Sequence, residues 1–533
     1  MSLRMPPLKD ALISGLVVLA VIPAIGSRTF VYAQPPAKST IAASNEFDAV
    51  AKNIKKEVKE LGYPDDVGQD FVKMVSGWKC DVWKQRLEKT RGDYKQKKIS
   101  ADQVAQSETE AVNYLYEIIK KEIKIPDSKD ELEYFYLPKV IKDKKAQCLG
   151  YSQLFYVLGN ALGLTVKAVD VRELLIGSLD EGHISCLVNL SDGKAIMVDI
   201  ANHYLSKSFL FKEDYAESVN YWELKNNNNL SSVYKRIQVY DNNELIASIY
   251  NNLGNMYQRK GDYAQSISLL TKAAELNPKC PQPYYIRGVV FSKLNQESKA
   301  VEDYTKAIEI DPEYVNPYLN RGKTYCKLNQ YEKARSDFTK AIELNPTFAD
   351  AFFNRAIVSA HLGQHKHAVS DCNKAIELNP ENAEAYVVRG GSFCELRLFG
   401  MAIPDFDKAL QLDSNSAATY YLRGNAYFKL NRRTAAISDY SKTIELDPQN
   451  VNAYLSRAIA YEKSGLHAKV ISDCAEAIKL DPKNADAYCN RGFAEAYLGK
   501  IEEAKKDLQK AVELDPAQKE AVKQISDKFK LGL

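Results

Sequence analysis

Cys148, His183 and Asp199 are the residues of this chain whose types, order and settings could do covalent chemistry. Cys148 precedes an apolar stripe (Tyr151, Leu154, Phe155, Leu158 and Leu162) spaced as one face of a helix, and Gly163 suits the left-handed residue that ends it. The thiol therefore falls in a helix's first turn, where unpaired N–H groups and the helix dipole favour a thiolate. Such a nucleophile needs a base to take its proton and a third group to hold that base in one tautomer and orientation. Downstream the pattern changes to period two. Strands are predicted over Val166 to Val171, His183 to Leu190 and Ala195 to Ile200, with Ser191-Asp192-Gly193 as a three-residue hairpin loop. That loop pairs Val188 with Ile196 and Cys186 with Val198, which gathers the apolar residues on one face. It sets Asp199 opposite Ser185, on the face of His183 and one diagonal step from it. A two-residue turn would place His183 and Asp199 on opposite faces; the apolar pairing favours the longer loop.

The elements around these residues read as helices. Phe47, Val50, Ile54 and Leu61 share one helical face, and Trp78 and Trp83 lie in a further helical stretch whose role is packing. Ser100 and Gln103 form a capping box that opens a helix through Val104, Val112, Leu115, Ile119 and Ile123, stopped by Pro126. A short strand at Ile237 to Tyr240 follows, and Asp241 and Glu244 form a second capping box.

Ala146-Gln147-Cys148-Leu149-Gly150-Tyr151-Ser152-Gln153-Leu154, then Gly182-His183-Ile184, then Val198-Asp199-Ile200 resemble the transglutaminase-like superfamily, from about Ser100 to Tyr240. The resemblance implies an α+β, papain-like domain with a Cys-His-Asp triad. Cys148 would attack a carboxamide or peptide carbonyl, His183 would shuttle the proton, and Asp199 would orient the ring. The acyl group would then pass to an amine or to water, so the implied activities are acyltransferase, amidase or cysteine protease. Ala146 departs from the family, which often has glycine there. Gln147 and Gln153 are candidates for the second oxyanion donor, and His203 is a rival base. Some members of the superfamily are non-catalytic, which leaves an inactive module as the alternative.

After residue 244 the chain keeps a beat of 34 residues. Tyr250, Tyr284, Tyr318, Phe352, Tyr386, Tyr420, Tyr454 and Tyr488 recur at that period. So do Pro278, Pro312, Pro346, Pro380, Pro448, Pro482 and Pro516, with Ser414 in place of one proline. Gly or Ala follows each aromatic four residues later, and a further alanine recurs in the second half of the unit (Ala273, Ala307, Ala341, Ala375, Ala409, Ala477 and Ala511), with Thr443 the exception. This closely resembles the tetratricopeptide repeat, eight times over, and implies an all-α superhelical solenoid with a concave groove. Arg287, Arg321, Arg355, Arg389, Arg423, Arg457 and Arg491 each precede an aspartate by sixteen residues (Asp303, Asp337, Asp371, Asp405, Asp439, Asp473, Asp507). A predicted turn lies midway, so a ladder of ion pairs is expected. The first repeat has Leu253 and Leu269 instead. Tyr285, Leu319, Phe353, Val387, Tyr421 and Leu455 recur in the first helices, as do Val289, Ile357, Ile459 and Phe493. Either they pack helix on helix or they line a groove for an extended protein or peptide partner. No Lys/Arg/Asn clamp for a C-terminal carboxylate is found. Pro404, inside a second helix, predicts a bend.

The domain reading is a secretory signal over 1–33, a helical segment over 34–99, the transglutaminase-like domain over 100–240, eight repeats over 244–518 and a capping helix over 519–533. The signal rests on Arg4 and Lys9 before an apolar run from Ala11 to Ile25, with Val31-Tyr32-Ala33 as the cleavage site. It implies an exported protein, periplasmic or secreted, with no stable membrane insertion after cleavage. An uncleaved anchor is the alternative. Charged residues make up 26% of the 533 and nearly cancel to +3, which gives no electrostatic footprint for nucleic acid. Of nine cysteines, Cys372 and Cys474 fall at an apolar core position of the repeat and Cys326 and Cys394 share another phase; a Cys474–Cys489 disulfide is the alternative reading. His361, His365 and His367 sit at a helical turn without the partners of a metal site, so neither metal nor cofactor is expected.

Overall fold

The computed structural model describes residues 48–124, 137–144, 146, 148–174, 183–199, 204–205, 215–217, 222–224 and 234–533, with Cys148 and His183 described by backbone alone. The signal segment 1–33, Phe47, Pro126, Gln147 and His203 lie outside the described residues. The chain divides into two compact units, and of the described residues 48–312 fall in one and 313–533 in the other.

In the first unit, helices α1 (Asp48–Glu60), α2 (Asp65–Val75), α3 (Cys80–Lys95), α4 (Ala101–Glu122), α5 (Leu137–Asp143) and α6 (Cys148–Ala161) precede an antiparallel sheet. The capping box at the start of α4 is present in both directions: Gln103 N–H donates to Ser100 Oγ, and Ser100 N–H to the Gln103 side chain at 2.9 Å. Val50 and Ile54 of α1, Leu115 and Ile119 of α4, and Leu154 and Leu158 of α6 meet in one core. Trp78 is buried in it, and Trp83 packs on Tyr114. The strands are β1 (Thr165–Leu174), β2 (His183–Asn189), β3 (Ala195–Asp199), β4 (Tyr204–Leu205), β5 (Tyr215–Glu217), β6 (Trp222–Leu224) and β7 (Tyr234–Val239), in spatial order β4-β3-β2-β1-β7-β6-β5. Strands β4 to β6 span only two or three residues each, too few to show alternation in sequence. The β2–β3 register is the expected one, with Cys186 opposite Val198 and Val188 opposite Ile196. Leu190 N–H donates to Lys194 O at 2.8 Å, and Gly193 takes φ +84°.

The helix of the first repeat (Asn242–Lys260) belongs to this same core. Leu245, Ile249 and Leu253 are part of it, Leu269 packs against it, and Tyr156 Oη donates to Asn242 Oδ1 at 2.6 Å. Leu253 and Leu269 thus stand where an Arg–Asp pair would need partners and find apolar surface instead.

Each later repeat is a helical hairpin, and the expected ion pairs form in all seven. Each arginine donates Nε and Nη2 to the two carboxylate oxygens of its aspartate, at 2.5–3.0 Å. The guanidinium also lies 5.5–5.8 Å from the ring three residues before it. Its Nη1 reaches sixteen residues back into the preceding repeat: Arg355 to Thr339, Arg389 to Asn373, Arg423 to Asp407 and Arg457 to Ser441. One side chain thereby ties two helices of a hairpin and the hairpin before it, a link that sixteen-residue spacing in one direction alone does not reveal.

The hairpins close by size matching. A Cβ on Gly322 would lie 2.6 Å from the Phe338 ring, and one on Gly424 would lie 2.8 Å from Tyr440. Where alanine stands at this position, at Ala356 and Ala458, the facing residue is Cys372 or Cys474, small enough to accept it. Those thiols are fully buried and free, and no Cys474–Cys489 disulfide forms. The reason is that Cys474 packs on Ala458 and Val470, whereas Cys489 belongs to the separate core of the last repeat. The turn inside each hairpin is left-handed at one position: Gly261, Asn295, Asn329, Gly363, Arg397, Asn431, Gly465 and Gly499 all have positive φ. The helix carrying Pro404 runs unbroken from Phe399 to Leu412, and Asp405 beside it still reaches Arg389. No described helix is long and apolar enough to cross a membrane.

Candidate functional site

Cys148 opens α6, and the chain before it is held closely. Lys124 N–H donates to Lys144 O at 2.8 Å, and Ala146 N–H returns to Lys124 O at 3.0 Å. Tyr151 Oη donates to Ile123 O at 3.0 Å, which fastens the first turn of α6 to the end of α4. Ala146 is buried there, so the turn forms without the glycine common in the resembled family. His183 is the first residue of β2, paired with Val171, and Asp199 is the last of β3, paired with Tyr204. Both stand at the open end of the β2–β3 hairpin, away from its loop. Asp199 is buried, 2% exposed, next to a buried Ser185 whose Oγ donates to Val198 O.

An ion pair that the sequence reading did not single out braces these elements. Glu108 of α4 is buried and accepts from Arg91 Nη2 of α3 at 2.6 Å. The same carboxylate accepts from Ser191 N–H at 2.7 Å and Ser191 Oγ at 2.8 Å, in the β2–β3 loop. Arg91 Nη1 donates to Gly163 O at 2.6 Å, just past the end of α6. The far ends of the helix begun by Cys148 and of the hairpin carrying His183 and Asp199 therefore meet on one pair. A signal was present. Glu108 stands four residues from both Val104 and Val112, an acid in the middle of an apolar stripe.

Strand alternation limits how a triad can form. Cys186 turns to α6, its thiol donating to Ser152 O at 3.4 Å, and burial pushes that thiol far above its ordinary pKa. Asp199 alternates with Val198, the partner of Cys186, and so belongs to the other face. Cys148 lies one turn before Ser152, so it can join His183 and Asp199 only around the open end of the hairpin. Side-chain positions of Cys148 and His183 lie outside the described residues. Gln153, one candidate oxyanion donor, is buried and its Oε1 accepts from Tyr63 Oη at 2.7 Å.

On the array, Leu319, Phe353, Tyr421 and Leu455 are buried, while Tyr285 and Val387 are half-buried. Val289, Ile357 and Phe493, four residues further along, are half-buried as well. His361 stacks on Tyr331 at 5.1 Å, and burial lowers its pKa. Among the described residues no cluster of three or more His, Cys, Asp or Glu could hold a metal.

Family models for the tetratricopeptide repeat match residues 245–313, 315–348, 349–382 and 485–518, and a TPR repeat model matches 424–465. The C-terminal region is a tetratricopeptide repeat array. Among solved structures, YrrB, a TPR protein with an unusual peptide-binding site, is 24% identical over 35% of this chain and 96% of its own, at a TM-score of 0.33. A tetratricopeptide repeat protein from Parabacteroides merdae is 21% identical over 47% of this chain and 98% of its own, at 0.36. Pseudomonas aeruginosa pilF is 22% identical over 40% and 97%, at 0.37. No curated protein matches the chain.

Proposed function

We propose that this chain is an exported partner-binding protein whose repeat array presents a polypeptide to a transglutaminase-like thiol site. The coarser part, a repeat array suited to protein–protein interaction, follows from the family matches. In the finer part, Cys148 is the nucleophile, His183 the base and Asp199 the group that orients it. Cys148 adds to an amide carbonyl, His183 takes the thiol proton and returns it to the leaving amine, and an amine or water then releases the acyl group. Support comes from one observation above others. The Cys148 helix and the His183–Asp199 hairpin converge on the Arg91–Glu108 pair, which keeps the elements bearing all three residues in one frame. Export rests on the signal-like segment 1–33.

Treatment with a thiol-directed probe, followed by mapping of the modified residues, tests the reading. Cys148 should label ahead of the part-exposed Cys280 and Cys326, and the fast phase should vanish in Cys148→Ala. Equal labelling of the two proteins counts against it. The alternation that sets Asp199 apart from the α6 face favours a second reading, a non-catalytic module on an interaction scaffold. On that reading, Cys148→Ala leaves partner capture and every activity unchanged.

A further inference from the structure

The array ends on a cluster of rings drawn from three helices. Phe493 and Tyr497 lie one turn apart on the first helix of the last repeat (Ala485–Tyr497), His467 opens the helix before it (His467–Leu480), and Phe529 ends the closing helix (Lys519–Phe529). His467 stacks on Tyr497 at 3.8 Å, and Phe529 meets Phe493 and Tyr497 edge-on, each at 5.8 Å. Lys528 sits on this cluster. Its Nζ is 5.1 Å from the Phe493 centroid, 5.4 Å from Tyr497 and 5.0 Å from Phe529. Among the described residues it forms no ion pair.

Three features separate this cluster from ordinary packing. Val522 and Ile525 of the closing helix, with Leu531 just after it, share a core with Leu508 and Ala504; Phe493 and Phe529 rest on the rim of that core, and Tyr497 stands outside it. Tyr497 remains 52% exposed, and His467 Nδ1 is buried beside it with no hydrogen-bond partner. The corresponding pairs in the other repeats (Val289/Lys293, Lys323/Lys327, Ile357/His361, Gly391/Glu395, Asn425/Lys429, Ile459/Lys463) never hold two aromatic rings. Ring faces attract a cation through their quadrupoles, and several rings around one ammonium make a cage. Lys528 shows which cation fits: an ammonium on an alkyl stem, which can be ringed on several sides, whereas a planar guanidinium stacks on one face.

We propose that this cage binds a lysine side chain of a partner polypeptide and is held shut in the free protein by Lys528. The partner's lysine takes the place of Lys528, whose own stem swings into solvent. The experiment compares wild type, Lys528→Ala and Lys528→Ala/Tyr497→Ala by NMR of the aromatic rings. Its probes are a short peptide with one lysine, the same peptide acetylated at that lysine, and tetramethylammonium. Removing the resident cation should tighten the lysyl peptide about two- to fivefold, the worth of one exposed cation–π contact. The acetylated peptide should not shift the Phe493 and Phe529 resonances, and the double variant should lose binding while its thermal unfolding stays close to that of Lys528→Ala. Equal binding of the acetylated peptide, or no binding to Lys528→Ala, overturns the proposal. So does collapse of the ring resonances in Lys528→Ala, which would make the lysine part of the packing. Saturable binding of tetramethylammonium without the lysyl peptide overturns the assignment to a polypeptide.

Discussion

In the helix-and-sheet domain a single carboxylate, Glu108, joins α3, α4 and the β2–β3 loop, and its partner Arg91 adds the end of α6. In the array, an equivalent task is done seven times over by pairs such as Arg355–Asp371, each confined to a hairpin and its neighbour. The two regions therefore distribute risk differently. Loss of one array pair leaves six; loss of Glu108 leaves the frame around Cys148, His183 and Asp199 without its shared tie. The first repeat marks the border, because its Leu253 and Leu269 give up the pair for the core of the domain.

The sharpest test of this contrast is Glu108→Ala, which removes the buried acceptor of Arg91 and Ser191 and should cost about 2–3 kcal/mol, since the part-exposed guanidinium can regain water. All three tryptophans (Trp78, Trp83, Trp222) lie in the domain, so denaturant unfolding followed by their fluorescence reads that loss separately from the array. An unchanged midpoint would remove the brace from the account.

The second test uses a buried acid of the last repeat. Position by position, Glu495 replaces the rings of Tyr325 and Tyr461, and Glu503 replaces the lysines over them. Burial, then the nearby Asp507, raises the Glu495 carboxyl to about 7, against the pull of Arg491. A folded value above the unfolded one means that the folded state holds the proton longer. Stability of the last hairpin should thus be full below pH 4.5 and fall as pH rises toward 7. Hydrogen exchange in residues 485–514 reads it, and Glu495→Gln should flatten the dependence.

Third, Gly322→Ala presses a methyl on Phe338 and should cost about 1–3 kcal/mol. Combined with Phe338→Cys it recreates the Ala356–Cys372 pairing, so the double variant should be more stable than the sum of the two losses. Strict additivity would mean that the size matching is incidental. The smallest effect is a gain. Arg397 holds a left-handed φ of +60° where other repeats use Gly or Asn. Arg397→Gly should therefore stabilise its repeat by about 1 kcal/mol, measured by thermal unfolding.

Much of the array was legible because every constraint is repeated. Arg–Asp spacing, turn position and core column each recur, and a residue out of phase, such as Ser414 or Arg397, stands out against the rest. Even there, the Gly–Phe and Ala–Cys matching needs the helices face to face to be recognised. In the domain, the capping boxes and the β2–β3 register followed from local rules, since loop length and apolar pairing decide them together. Glu108, Arg91 and Ser191 meet only in three dimensions, and no local pattern links residues 17 and 83 apart. The Cys474–Cys489 disulfide fails for the same reason: sequence proximity to one turn did not show that the thiols face separate cores.

The most direct test of the proposed chemistry is the rate at which a thiol probe modifies Cys148 as pH is varied, in wild type and His183→Ala. A thiol paired with a base and set at a helix start reacts well below the ordinary thiol range near pH 8.5. The account predicts fast labelling of Cys148 in wild type that persists near pH 6, and a His183→Ala profile shifted up to that of a free thiol. Identical profiles in the two proteins would contradict it and leave the helix-and-sheet domain as a folded module on a binding array.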